Sequence, residues 1–167
     1  AEEIVAYITS ATIDESASAF AVVNFQLTDG NGTAIIDLPR DEVRFVLAKL
    51  QTSPLGAGTG SWQSYVNRIE TADTGIGPGT EDKLHATYER DDEDGVSERD
   101  GTLENFGDGT YRYTFATDLD ALPADILAQA ATEGLDLSYD PTLTHRVAMQ
   151  FDGAANPQNP FFDWVPA

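Results

Sequence analysis

The chain has 167 residues, with 9 Lys plus Arg against 29 Asp plus Glu, a net charge of −20 and no cysteine. That length suits one β domain over residues 1–167, and so negative a surface repels phosphate backbones and anionic lipid, which excludes nucleic acid as a partner. Without cysteine the segment holds no disulfide, thiolate metal site, iron–sulfur cluster or thioether-bound haem, and no run reaches the roughly 18 apolar residues of a membrane-spanning helix.

The apolar run at residues 4–9 and the alternation of Phe20, Val23, Phe25 and Leu27 predict two strands, separated from the next by Asp29-Gly30-Asn31-Gly32, whose residue types tolerate the positive φ of tight turns. Val43, Phe45 and Leu47 alternate with Arg44, Val46 and Ala48 as a third strand. A glycine-rich stretch over 54–60 follows, and then a fourth strand over 62–69. A loop through Gly75-Ile76-Gly77-Pro78-Gly79 leads to a strand over 84–88. Residues 89–100 hold seven carboxylates and two arginines, a density read as a solvated, unburied hairpin tip. Residues 103–106, the turn Gly107-Asp108-Gly109, and Tyr111, Tyr113 and Phe115 on one face make the strongest hairpin signal, with that aromatic face in the core. Only residues 123–133 read as a helix, with Ile126, Leu127, Ala130 and Ala131 as its apolar stripe and Gly134 as the stop. Residues 145–151 form a last strand, in which Val147, Met149 and Phe151 alternate. About eight strands and one short helix predict a mostly β fold, a Greek-key β-sandwich or split β-barrel of Ig-like type. The aromatic run Phe161-Phe162-Asp163-Trp164 reads as an exposed patch with something to pack against, so the natural chain is expected to continue.

Few residues nominate chemistry. Gly56-Ala57-Gly58-Thr59-Gly60 lacks the flanking strand and helix of a phosphate loop. Asp29 and Asn31 supply hard oxygen ligands of the calcium type, as does the run from Asp91 to Asp94, but Arg40 stands where a calcium loop beginning at Asp29 needs its glutamate. Two histidines, His85 and His145, are too few for a three-histidine zinc site, and His145 beside Arg146 suits a polar role at a strand start. No Gly-x-Ser-x-Gly elbow is present, and the carboxylates nominate no catalytic pair.

Four stretches, in order, are similar to one family. They are Trp62-Gln63-Ser64-Tyr65-Val66-Asn67-Arg68-Ile69-Glu70, the run from Asn105 through Gly107-Asp108-Gly109-Thr110-Tyr111 to Phe115, Tyr139-Asp140-Pro141-Thr142-Leu143-Thr144-His145-Arg146-Val147, and the closing residues 159–167. Together they resemble the N-terminal, haem-free domain of the outer-membrane decahaem c-type cytochromes of metal-reducing bacteria, the OmcA/MtrC type. The likeness covers 62–167 well and 1–61 in pattern only. The resemblance implies a non-catalytic structural and interaction domain of a cell-surface electron-transfer protein, exported to the outer face of the outer membrane. Its c-type haems and Cys-x-x-Cys-His motifs would lie beyond Ala167, and its partners would be the adjacent haem domains, other outer-membrane proteins, metal oxides or flavins. His145 is then a candidate distal haem ligand, since imidazole is the usual second axial ligand in such cytochromes. The other reading is an Ig-like adhesion or carbohydrate-associated module of an unrelated surface protein.

Overall fold

The computed structural model describes residues 3–52, 60–71, 81–92, 99–153 and 159–167. Among them are ten strands: β1 (Val5–Asp14), β2 (Phe20–Thr28), β3 (Val43–Thr52), β4 (Gly60–Ser64), β5 (Asn67–Thr71), β6 (Asp82–Ala86), β7 (Thr102–Asn105), β8 (Thr110–Asp118), β9 (His145–Phe151) and β10 (Phe161–Trp164). One helix, α1, spans Ala124–Glu133. Two four-stranded antiparallel sheets, ordered β1-β2-β8-β7 and β10-β9-β3-β4, carry the fold, and β5 and β6 pair as a separate hairpin. Neither sheet closes on itself, so of the two expected architectures the molecule adopts the sandwich. The chain changes sheet between hairpins, which makes β2 neighbour β8 and β3 neighbour β9, the non-local pairing of a sandwich rather than a meander.

Strict alternation builds the core. Val43, Phe45, Leu47 and Lys49 of β3 face inward, as do His145, Val147, Met149 and Phe151 of β9 and Tyr111, Tyr113 and Phe115 of β8. Phe45 stacks on Tyr113 across the sandwich, centroids 3.9 Å apart, and meets Phe115 edge-on at 6.2 Å, while Phe25 stacks on Tyr111 at 5.3 Å. Each of these rings contributes about 1.5–3 kcal/mol by burial, and aromatic pairing adds to it. The β7–β8 turn is as expected. Gly109 adopts φ +91°, and a Cβ there would lie 2.8 Å from that of Ala34, so the position requires glycine. A second, smaller cluster places Ile126 and Ala130 of α1, with Leu122 and Leu137, against Ile69 and Leu84 of the β5–β6 hairpin. The predicted helix thus forms and stops at Gly134, but it buries a narrower stripe than expected, leaving Leu127 and Ala131 exposed.

Three expectations need correction. The strand predicted over 62–69 is two strands, because the chain breaks at Tyr65 and Val66, both buried, and β4 and β5 join different sheets. The end of the chain is not merely a patch: residues 161–164 are β10, hydrogen-bonded to β9. Those two changes account for ten strands rather than eight. The acidic stretch is also not wholly solvated. Glu89 is fully buried, its backbone exchanging two 2.8 Å hydrogen bonds with Phe45. Its side chain enters the sandwich at the irregular end of β8. There the pairing with β2 shifts register between Phe20 and Val22, and the Ala116 and Thr117 amides bond to Glu89 rather than to β2. Glu89 collects them: Oε1 accepts from the Ala116 amide at 2.7 Å and the Tyr113 hydroxyl at 3.0 Å, and Oε2 from the Thr117 amide at 2.8 Å and the Thr117 hydroxyl. Buried amides need acceptors, and one carboxylate serves both. Burial pushes the Glu89 pKa up, against the pull of its donors. The glycine-rich loops at 54–60 (apart from Gly60) and 75–79, and Glu93 and Asp94 of the acidic run, lie outside the described residues.

Candidate functional site

The two sheets present unlike outer faces. On the first, Asn24 donates to Ser10 Oγ at 3.0 Å and accepts from Arg112 Nε at 3.0 Å, and Thr9 donates to the Asn24 carbonyl. It is a largely polar surface, on which Tyr7 is exposed and Arg112 lies over the exposed Phe106 ring. On the second, the alternation that turns Phe45, Leu47 and Val147 inward turns Val46, Ala48, Leu50 and Ala148 outward, with Trp62 of β4 and Phe161 of β10 at the margins. Val46, Trp62 and Phe161 are 39%, 40% and 59% exposed, a concentration of apolar surface that a solvated sheet face does not normally carry.

Arg146 lies across this face. Its guanidinium carbon sits 4.4 Å from the Trp62 ring centroid and 4.1 Å from that of Phe161, and Nε and Nη2 donate to the two Asp163 carboxylate oxygens at 2.7 and 2.8 Å. The strand register makes the clamp possible, since Arg146 stands opposite Asp163 in the β9–β10 pair. The result is a flat aromatic platform with a fixed, locally neutralised guanidinium at its centre.

Beneath the platform, His145 points inward and is fully buried. Its Nδ1 lies 2.9 Å from the Leu143 carbonyl oxygen, which only accepts, so Nδ1 carries the proton; Nε2 therefore accepts the Tyr65 hydroxyl at 2.8 Å. Tyr65 stacks on the imidazole, Tyr139 meets it edge-on and Trp164 lies 5.8 Å away. Lys49 Nζ, equally buried, donates to the Ser138 carbonyl and sits 3.7 Å from Asp136. Burial lowers the pKa of both His145 and Lys49 and raises that of Tyr65. Both nitrogens of His145 are thus engaged inside the domain, and axial ligation through Nε2 would displace the Tyr65 hydroxyl. Sequence reasoning missed Tyr65 as its partner, and missed Lys49 and Glu89 as buried groups.

Asp29 and Asn31 form a capped turn: Asp29 Oδ1 accepts from the Asn31 amide at 2.9 Å and the Thr33 amide at 2.8 Å. Among the described residues no three His, Cys, Asp or Glu side chains converge as a metal cage. His85 is paired at the surface, 3.4 Å from Glu70. An open cleft of about 370 Å³ lies where β5 and the start of α1 approach the end of β8, lined by Arg68, Ile69, Thr117, Asp118, Asp125 and Ile126.

The chain is thus a cysteine-free β-sandwich whose second sheet carries an aromatic outer face. The chain belongs to the OmcA-like N-terminal domain family, whose profile it matches over residues 5–167. Among solved structures it is similar to the outer-membrane decahaem cytochrome OmcA, with 25% identity, a TM-score of 0.68, and 98% of this chain aligned to 23% of that one. It also shares the fold of MtrC from Shewanella baltica OS185, with 20% identity, a TM-score of 0.58, and 97% of this chain aligned to 22% of that one. The chain thus spans less than a quarter of the length of these cytochromes. No curated protein sequence matches it.

Proposed function

We propose that this chain is the haem-free structural and interaction domain of a cell-surface multihaem c-type cytochrome that passes electrons to extracellular acceptors such as metals or flavins. Family membership carries the reading: the chain matches the OmcA-like N-terminal domain over nearly its whole length and, having no cysteine, attaches no c-type haem itself. Its part is mechanical and steric rather than catalytic. The Val46, Trp62 and Phe161 face is where a haem domain of the same chain docks, because an aromatic sheet face with a neutralised guanidinium suits burial against protein better than contact with water.

The test is the full-length gene product. Cys-x-x-Cys-His motifs in the reading frame and a c-type haem spectrum support the assignment, and their absence returns the adhesion-type module to first place. In that product Trp62→Ala together with Phe161→Ala should expose the domain junction to limited proteolysis while haem content stays constant. An unchanged cleavage pattern would move the docking face elsewhere.

A further inference from the structure

Two of the stretches that resemble the family, separated by some eighty residues, meet at one hydrogen bond: Tyr65 Oη to His145 Nε2 at 2.8 Å. Neither docking nor folding calls for an imidazole as acceptor there. A backbone carbonyl satisfies the buried hydroxyl of Tyr111, for example. What an imidazole supplies, and a carbonyl does not, is a base.

We infer that Tyr65 and His145 form a proton-coupled redox pair, in which Tyr65 gives up one electron to a strong one-electron oxidant while its phenolic proton passes to His145. The oxidant class is an oxygen-derived radical or a high-potential metal complex. In the step the Tyr65 O–H bond breaks and one electron leaves the ring for the oxidant, which is reduced by one unit. The proton moves along the hydrogen bond to Nε2, leaving a neutral phenoxyl radical and an imidazolium whose Nδ1–H still bonds the Leu143 carbonyl. A later electron from a one-electron donor of the hydroquinone class reduces the phenoxyl, and the proton returns from Nε2 to restore the phenol.

Three observations support the pair. The tautomer is set by the Leu143 carbonyl, so the Nε2 lone pair is directed at the hydroxyl before any oxidation occurs. The pair is shielded from bulk solvent, with Tyr65 and His145 1% and 0% exposed, so the positioned imidazole is the acceptor at hand when the oxidised phenol releases its proton. An oxidisable ring also leads outward: His145 lies 5.8 Å from Trp164, which is only partly buried. The groups facing the imidazolium balance in part, with the Lys49 ammonium opposing it and the Asp140 carboxylate favouring it. Two other tyrosines also meet bases, Tyr113 at Glu89 and Tyr139 at Glu15. Glu89, however, already accepts three further donors, and Glu15 is exposed. The inference goes beyond the cytochrome reading and concerns this domain whichever chain carries it.

The experiment is flash photolysis of the 167-residue chain with a photogenerated ruthenium(III) polypyridyl, following the phenoxyl radical by transient absorption and freeze-quench electron paramagnetic resonance. Circular dichroism confirms that each variant is folded. In a background of Tyr7→Phe and Trp62→Phe, which removes the exposed competitors, Tyr65→Phe should remove the phenoxyl component that slows in D2O, whereas Tyr113→Phe should leave it. His145→Gln keeps a hydrogen-bond acceptor but no base, and should slow Tyr65 oxidation on the order of a hundredfold, the lower end of what a positioned base contributes. The wild-type rate should also fall in D2O. In that background, a D2O-sensitive phenoxyl component that persists in Tyr65→Phe, or an unslowed His145→Gln, overturns the inference. If either variant fails to fold, equal wild-type rates in H2O and D2O overturn it.

Discussion

Replacing Glu89 with alanine tests whether one buried carboxylate holds the irregular end of β8. The change strips the acceptor from the Ala116 and Thr117 amides and from the Tyr113 and Thr117 hydroxyls. The hydroxyls can rotate toward other partners, but the amides cannot. Each buried amide left unpaired costs roughly 1–3 kcal/mol, and relief of the carboxylate's own desolvation offsets part of the total, leaving a net loss of about 3 kcal/mol. For a domain of this size that lowers Tm by about 6–12 °C. Urea unfolding followed by circular dichroism gives the loss as a lower midpoint at unchanged slope. A midpoint equivalent to within about 0.5 kcal/mol of the parent, the scatter of ordinary surface substitutions, would refute the reasoning. Glu89→Gln separates charge from shape. Burial holds the folded pKa above the ordinary value of 4.5, so in the window from there upward the folded state binds more proton than the unfolded state, and wild-type stability falls as pH rises. The glutamine variant lacks that slope, so its stability relative to wild type should be worse at pH 5 than at pH 8.

His145 titrates in the opposite sense. Burial lowers its folded pKa below 6.5, so its contribution is present above that value and is lost as pH falls below it. His145→Gln should flatten stability across that interval in urea titrations, and in a haem-loaded full-length protein it should leave the low-spin spectrum unchanged; a changed spectrum would revive axial ligation. Gly101→Ala should destabilise by about 1–3 kcal/mol, because its Cβ would collide with the Tyr113 hydroxyl and the Thr114 carbonyl, and core overpacking costs this much; calorimetry reads the drop. Asp163→Asn should cost no more than about 1 kcal/mol, since the Arg146 pair is partly exposed. Trp62 fluorescence should nonetheless change as the guanidinium is released, and an unaltered spectrum would mean that the aromatic clamp alone fixes Arg146.

Period-two alternation made most of the sandwich legible. Phe45, Tyr113 and Val147 announce their strands because each sheet buries one face only. The same rule placed Lys49 in line with Val43, Phe45 and Leu47, and in line with the core, yet its charge argued against burial; the Ser138 carbonyl that accommodates it is 89 residues distant. Glu89 was hidden for the same reason, lost in a run of carboxylates whose other members gave no hint that one of them meets unpaired amides. The break at Tyr65 carries no glycine or proline, so local propensity could not separate β4 from β5. The family stretches pointed to Tyr65 and His145 individually, but only the sheet register brings them together. The outer platform was half visible, in the aromatic run at residues 161–164, and became a face once β10 was seen to pair with β9.

The burial of Lys49 also has a practical side. The chain contains only two lysines, and the other, Lys83, stands exposed on the β5–β6 hairpin beside α1. Within this segment amine-directed reagents therefore have one exposed side-chain target, and neither Trp62 nor Phe161 lies on the hairpin that carries it. A fluorophore, spin label or surface tether coupled through Lys83 would report on the aromatic platform without standing on it, and an engineered cysteine would not be needed.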